Sequence, residues 1–181
     1  MLIILAGLPG TGKTTLAREF VRRTNAIYLR IDSIEQAIRN STQSKRSVDG
    51  VGYCVGYAIA EDNLKLGRTV VADSVNPLDI TRDAWLSTAK CARCRSLEVE
   101  LICSDVLEHR QRIESRTTDI PGLTLPNWQD VLDRESHPSP RDHTVIDTAQ
   151  NTGEPSVTEL ATHLEIAPPE VIARNRLRQV E

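Results

Sequence analysis

Nine residues near the start of the chain have the types and the spacing to hold a row of phosphates. Gly7-Leu8-Pro9-Gly10-Thr11-Gly12-Lys13-Thr14-Thr15 fits the pattern G-x-x-x-x-G-K-[ST]. The glycines let the backbone turn tightly and bring its N–H groups against phosphate oxygens with no Cβ in the way. A helix that starts at Lys13 adds the positive end of its dipole. Gly10, Thr11, Gly12 and Thr15 are thus expected around the phosphates. Lys13 reaches toward the β- and γ-phosphates, and the Thr14 hydroxyl is a hard oxygen suited to Mg²⁺.

Two carboxylates and two arginines further along complete a candidate chemistry. Asp32 follows the apolar run Ala26-Ile27-Tyr28-Leu29-Arg30-Ile31. At the end of a strand beside the P-loop, it can take the proton of an attacking hydroxyl. Asp32-x-x-Glu35 and Ser33-x-x-Gln36 both have capping-box spacing, and Ser33 as the cap leaves Asp32 free. Asp73 ends the run Thr69-Val70-Val71-Ala72-Asp73, where it suits the outer shell of a Mg²⁺ bound at Thr14. Arg112 and Arg116 stand four apart, so a helix over 105–116 carries both on one face just before the Pro- and Gly-containing stretch 117–127. Such a pair can close over a nucleotide, one guanidinium on phosphate and one near the base. A solvated helix with its arginines paired to Glu108 or Glu114 is the competing reading.

The elements that position these residues alternate along the chain. Apolar strands are expected at 1–5, 26–31, 69–73, 97–103 and 143–147. Amphipathic helices are expected at about 13–24, 33–39, 53–66, 79–90, 105–116, 127–135 and 154–165. Strand and helix in turn give a three-layer α/β domain on a five-stranded parallel sheet. Gly7, Asp32, Asp73 and Asp147 then converge at the carboxyl ends of the strands, where open α/β sheets carry their sites. The polar stretch 40–51 reads as an exposed loop. The domain spans 1–166, and residues 167–181 form a tail with Arg174, Arg176 and Arg178 after Pro168-Pro169.

Composition excludes several classes. With 181 residues the chain buries a proper core, and its net charge of −3 provides no basic field for nucleic acid or anionic membrane. Lys13 is one of four lysines. Cys91-Ala92-Arg93-Cys94 has C-x-x-C form, but no second pair or histidine cluster accompanies it, and ordinary reduced cysteines are expected. The first strand is too short and uncharged in front for a signal peptide, and no stretch reaches the length of a membrane span, so a cytoplasmic protein is expected.

Among the P-loop chemistries, a GTPase needs a guanine-specifying Asn-Lys-x-Asp segment, which is absent. A motor ATPase needs an Asp-Glu pair where this chain has Asp73-Ser74. A small phosphotransferase needs a carboxylate beside the acceptor, a metal-side acid and mobile arginines, and all three are present.

The P-loop, Asp32, Asp73-Ser74 and Arg112-x-x-x-Arg116 together resemble the P-loop kinase-like "AAA domain" ATPase family, which is itself similar to chloramphenicol phosphotransferase and the polynucleotide 5′-kinase domain. The resemblance covers about residues 1–150. It implies strand order 2-3-1-4-5, Lys13 on phosphates, Thr14 on Mg²⁺, Asp32 as general base and Arg116 as the transition-state arginine. It also implies that Thr148-Ala149-Gln150 lies at the base. The polynucleotide kinases carry an arginine three residues after the catalytic aspartate, whereas this chain has Glu35. That acid disfavours a nucleic-acid phosphate and favours a small acceptor, uncharged or cationic, with Lys45 and Arg46 on the acceptor-side wall. The sequence thus points to an Mg-ATP-dependent kinase acting on the hydroxyl of a small molecule. A nucleic-acid 5′-hydroxyl kinase and a regulatory ATPase with a protein partner are the alternatives.

Overall fold

The computed structural model describes residues 1–41, 50–149 and 154–164. The expected positions of Lys45, Arg46, Gln150 and the arginine tail lie outside the described residues. Five strands, β1 (Leu2–Ala6), β2 (Ile27–Arg30), β3 (Val70–Asp73), β4 (Ser96–Ile102) and β5 (Thr144–Asp147), form one parallel sheet in the order β2-β3-β1-β4-β5. Seven described helices surround it: α1 (Lys13–Thr24), α2 (Ile31–Ser41), α3 (Val51–Lys65), α4 (Asp79–Cys91), α5 (Val106–Ser115), α6 (Trp128–Leu132) and α7 (Glu154–His163).

The two-residue period of a strand explains the layers. Along β1, Ile3 and Leu5 face α1 and α7, where they pack with Leu16, Phe20, Val157 and Leu160. Leu2 and Ile4 face the other way, against Ala60 and Leu64 of α3 and Trp85 of α4. A strand covered on both faces must be apolar throughout, which is why Leu2-Ile3-Ile4-Leu5 shows no polar alternation.

Most boundaries shift by a residue or two from the sequence expectation, and two of the shifts move site residues. β2 stops at Arg30 and α2 begins at Ile31 with no turn between them. Ile31 is buried in the layer between α2 and α3, where its Cδ1 occupies the space left by Gly56. Asp32 therefore stands in the first turn of α2 rather than at a strand end, and Ser33 is helical rather than a cap. α5 ends at Ser115, and Arg116 has extended backbone angles, φ −69° and ψ 147°. The single-face relation expected for Arg112 and Arg116 thus ends with the helix. α6 is also shorter than the 127–135 stretch, held by the reciprocal cap between Asn127 and Asp130.

Candidate active site

The P-loop is fixed at both ends by groups from other elements. Gly7 donates to the Val75 carbonyl (3.1 Å), tying the loop to the turn after β3. Its φ of 127° and the Leu101 carbonyl oxygen, 2.2 Å from where a Cβ would stand, require glycine there. Gly12 takes φ 92° at the N-cap of α1, where a left-handed residue turns the loop into the helix. Above the loop, α5 supplies His109, whose Nε2 lies 2.7 Å from the Pro9 carbonyl. A carbonyl only accepts, so that nitrogen carries the proton. Thr148, just past β5, contacts the Thr11 carbonyl through Oγ1 (3.0 Å).

Lys13 folds back over the loop it belongs to. Its Nζ donates to the carbonyls of Gly7 (2.7 Å) and Leu8 (2.8 Å). Burial pulls its pKa down to about 8, against the opposing attraction of Asp73 and Asp32. A buried ammonium whose hydrogen bonds among the described residues go to neutral carbonyls has charge left to offer an anion. Arg112 is anchored to the same region. It donates to Thr148 Oγ1 (2.8 Å) and the Thr148 carbonyl (2.6 Å), and it pairs with Glu108 one turn back on α5. The salt bridge expected from the competing reading is therefore present, as is a second one between Arg110 and Glu114. Arg112 nonetheless stays on the cleft wall beside the P-loop.

The metal-side pair is in contact. Thr14 Oγ1 donates to Asp73 Oδ2 (2.8 Å), and the same oxygen accepts from the Tyr28 hydroxyl (2.8 Å). Burial and the neighbouring Asp73 push the Tyr28 phenol well above its ordinary range, so it stays a donor. A buried carboxylate touching a hydroxyl at the start of α1 has the hard-oxygen chemistry of a Mg²⁺ site.

Asp32 and Arg116 open onto the same cleft, about 970 Å³, as Lys13, Thr14 and Asp73. Asp32 is half-exposed, with Oδ2 3.9 Å from Arg30 Nε. Arg116 is the unusual group. Its Nε and Nη2 are buried and have no hydrogen-bond partner among the described residues. Burial lowers its pKa, and the charge of Asp32 partly restores it. Unpaired guanidinium nitrogens away from water are costly unless an anion meets them.

The structure thus gathers every sequence-expected site residue, Gly10 to Thr15, Asp32, Asp73, Arg112 and Arg116, around one cleft or its floor. It adds residues that pattern reading passes over. Asn76 is fully buried, takes φ 47° and donates its side-chain amide to the Leu5 carbonyl (2.7 Å) while accepting from Trp85 Nε1 (3.1 Å). It locks the end of β1 to α4. Its signal in the sequence is only an Asn-Pro turn. Tyr28, His109, Arg18 and Arg30 also join the site, with no local motif to announce them. The expected mobile stretch 117–127 lies along the cleft, and Asp119 in it pairs with both Arg18 and Arg30. The four cysteines are free thiols, with Cys54 and Cys91 exposed. No described helix is long and apolar enough to cross a membrane.

A family profile described as an AAA domain matches residues 2–134, and no curated protein sequence matches the chain. Among solved structures, Kti12 of Chaetomium thermophilum in complex with ADP-AlF3 superposes with TM-score 0.65 at 22% identity, covering 91% of this chain and 97% of that one. The tunicamycin resistance protein of Deinococcus radiodurans gives 0.63 at 18% identity, covering 92% and 96%. A gluconokinase of Sinorhizobium meliloti gives 0.59 at 20% identity, covering 99% and 97%. Identities at this level establish the shared fold. With its P-loop after β1, its 2-3-1-4-5 parallel sheet and the profile spanning most of its length, the chain belongs to the AAA domain family and has a P-loop kinase-like fold.

Proposed function

We propose that the protein is an ATP-dependent phosphotransferase that moves the γ-phosphate to a hydroxyl of a small molecule. The observation that carries this reading is Arg116, a guanidinium with two buried nitrogens that have no hydrogen-bond partner among the described residues, on the cleft that also holds Lys13 and Asp32. Such a group suits charge that appears only when a phosphoryl group sits between donor and acceptor.

In this reading the P-loop amides from Gly10 to Thr15 and Lys13 hold the phosphates, and Arg112 flanks the nucleotide. Asp32 orients the acceptor hydroxyl and accepts its proton as the oxygen attacks the γ-phosphorus. The bond from that phosphorus to the bridging oxygen breaks, and ADP carries away the electron pair. Arg116 and Lys13 donate hydrogen bonds to the transferring oxygens. Thr14 and Asp73 would hold a Mg²⁺, which supplies charge neutralisation on the phosphates. A tetrahedral site of soft ligands is not what these two oxygen donors form, and their contact fits a hard cation. The gluconokinase, whose name states an acceptor with hydroxyls, supports a small-molecule substrate by analogy of fold.

Incubation with γ-labelled ATP and Mg²⁺ across sugars, polyols, sugar acids, nucleosides, antibiotics and oligonucleotides tests the reading. Label is expected in a small hydroxyl compound. Label only on oligonucleotide ends would make the protein a nucleic-acid kinase. Label only in free phosphate, at a rate indifferent to every acceptor, would make it a regulatory ATPase.

A further inference from the structure

The wall of the cleft contains an ion-pair arrangement outside the P-loop. Arg18 of α1 and Arg30 at the end of β2 converge on one carboxylate, that of Asp119 in the 117–127 loop. Each oxygen serves one arginine, Oδ1 taking Arg30 Nη1 (2.8 Å) and Oδ2 taking Arg18 Nη2. The two cations are built in, and the anion is not. The Arg30 side chain is only 10% exposed, and its Nε has no hydrogen-bond partner among the described residues. The Arg18 guanidinium lies over the Tyr28 ring, 5.9 Å from its centre, and Tyr28 is itself bonded to Asp73. Asp119 is 54% exposed and comes from a loop. The paired arginines hold its carboxyl well below the usual range, so it is an anion at any ordinary pH.

The charge balance of the cleft points the same way. Seven basic residues and four acids line it, in a chain whose net charge is −3. Asp73 is committed to Thr14 and Tyr28, and Glu35, which the sequence suggested as a repulsive acid, pairs with Arg39 at 3.1 Å. An incoming anion therefore meets a wall with more cations than acids, where the acids left half-exposed are Asp32, the proposed base, and Asp119, which comes from a loop.

We propose that Arg18 and Arg30 form the subsite for a carboxylate on the phosphate acceptor, and that Asp119 occupies this subsite until the acceptor replaces it. The proposal rests on the phosphotransferase reading and names its substrate class, a small hydroxy acid. A planar carboxylate with one oxygen per guanidinium replaces Asp119 like for like. Arg30 Nε is 3.9 Å from Asp32 Oδ2, so a substrate anchored there brings a hydroxyl to the general base across a short carbon chain. The Arg18–Asp119 pair is exposed on both sides and therefore weak, and the Arg30–Asp119 pair is replaced by an equivalent one, which keeps the exchange inexpensive. Displacing Asp119 also releases the 117–127 loop from α1 and β2, linking acceptor binding to movement of the segment that follows Arg116.

The test is calorimetric titration of the wild type, Asp119→Asn and Arg18→Gln with D-glycerate and D-gluconate. Glycerol, sorbitol and inorganic phosphate serve as comparison ligands, and label transfer from ATP is then measured on the same compounds. Removing the internal competitor in Asp119→Asn is expected to tighten binding of the hydroxy acids about tenfold and leave the neutral alcohols unmoved. Arg18→Gln is expected to weaken the hydroxy acids about tenfold or more in Kd and KM. ADP affinity verifies the fold of each variant, and Arg18, being 38% exposed, is the safer of the two arginines to replace. Hydroxy acids that bind no tighter to Asp119→Asn than to the wild type would overturn the subsite. So would a gain seen for phosphate and not for carboxylates. Tighter hydroxy-acid binding with no label transfer would sustain the subsite and defeat the phosphotransferase reading. Transfer to neutral alcohols with a KM blind to both variants would do the reverse.

Discussion

Lys13 and Arg116 each keep a cationic group buried at the cleft, at a cost in stability. Lys13 has its ammonium among backbone carbonyls, with a pKa lowered to about 8 by burial. If Lys13 binds phosphate as proposed, binding requires the protonated form and raises its pKa, so affinity falls as pH climbs through the free-state value. ATP affinity is expected to be flat from pH 6.5 to about 8 and then to drop by up to about tenfold per pH unit. Calorimetry from pH 6.5 to 9.5 measures this, and Lys13→Arg should flatten the upper limb. Arg116 carries buried nitrogens with no partner among the described residues. Arg116→Met is expected to raise the melting temperature of the ligand-free protein by a few degrees, from relief of about 1 kcal/mol or more. The same change should lower kcat for phosphoryl transfer by about 10²–10³. Thermal scans beside steady-state rates would show both. The P-loop residues were legible from spacing, because the turn places Gly7, Gly10, Gly12 and Lys13 within one short stretch of chain. Arg18, Arg30 and Asp119 were not legible, because their ion pairs join residues 101 and 89 positions apart.

At the scale of elements, the site depends on how strand ends are locked to helices. Asn76 bonds the Leu5 carbonyl and Trp85 Nε1, and its own carbonyl accepts from Arg82 Nε (3.0 Å). Asn76→Ala would leave a buried carbonyl and a buried indole N–H unsatisfied at a left-handed backbone position. A loss of about 2–3 kcal/mol in chemical denaturation is expected. At the far edge of the sheet, the ring of His143 contacts the Arg141 carbonyl through Nδ1 (2.8 Å) and Glu100 through Nε2 (2.8 Å). The hydrogen bond to that carbonyl, and then Glu100, raise its pKa above the ordinary value. A raised histidine contributes stability that is complete below about pH 6.5 and lost as pH rises through the folded value. The wild type is therefore expected to lose more stability than His143→Gln between pH 6 and pH 8.5, as denaturation midpoints would record. Strand and helix identities were readable from period and length. The starts of α2 and the end of α5 were not, since burial of Ile31 against Gly56 and the extended angles of Arg116 are set by tertiary packing.

For the molecule as a whole, the sheet order puts β1 and β3 side by side, with β2 next to β3, so the P-loop, Asp73 and Asp32 follow the carboxyl ends of three adjacent strands. α5 and the loop after β5 close the opposite side through His109, Arg112 and Thr148. The convergence of the P-loop, Asp73 and Asp32 was thus foreseeable from topology, whereas the Arg18–Asp119–Arg30 cluster depends on a loop packed back onto α1 and β2. The central claim is that Asp32 serves the chemical step and not nucleotide binding. The direct measurement is Asp32→Asn assayed for two quantities at once, the Kd for ATP and kcat for label transfer to the best acceptor. Loss of a general base should lower kcat by about 10²–10⁴ while the ATP Kd stays within a few-fold of wild type. Transfer at the wild-type rate, or a parallel collapse of ATP binding, would contradict it.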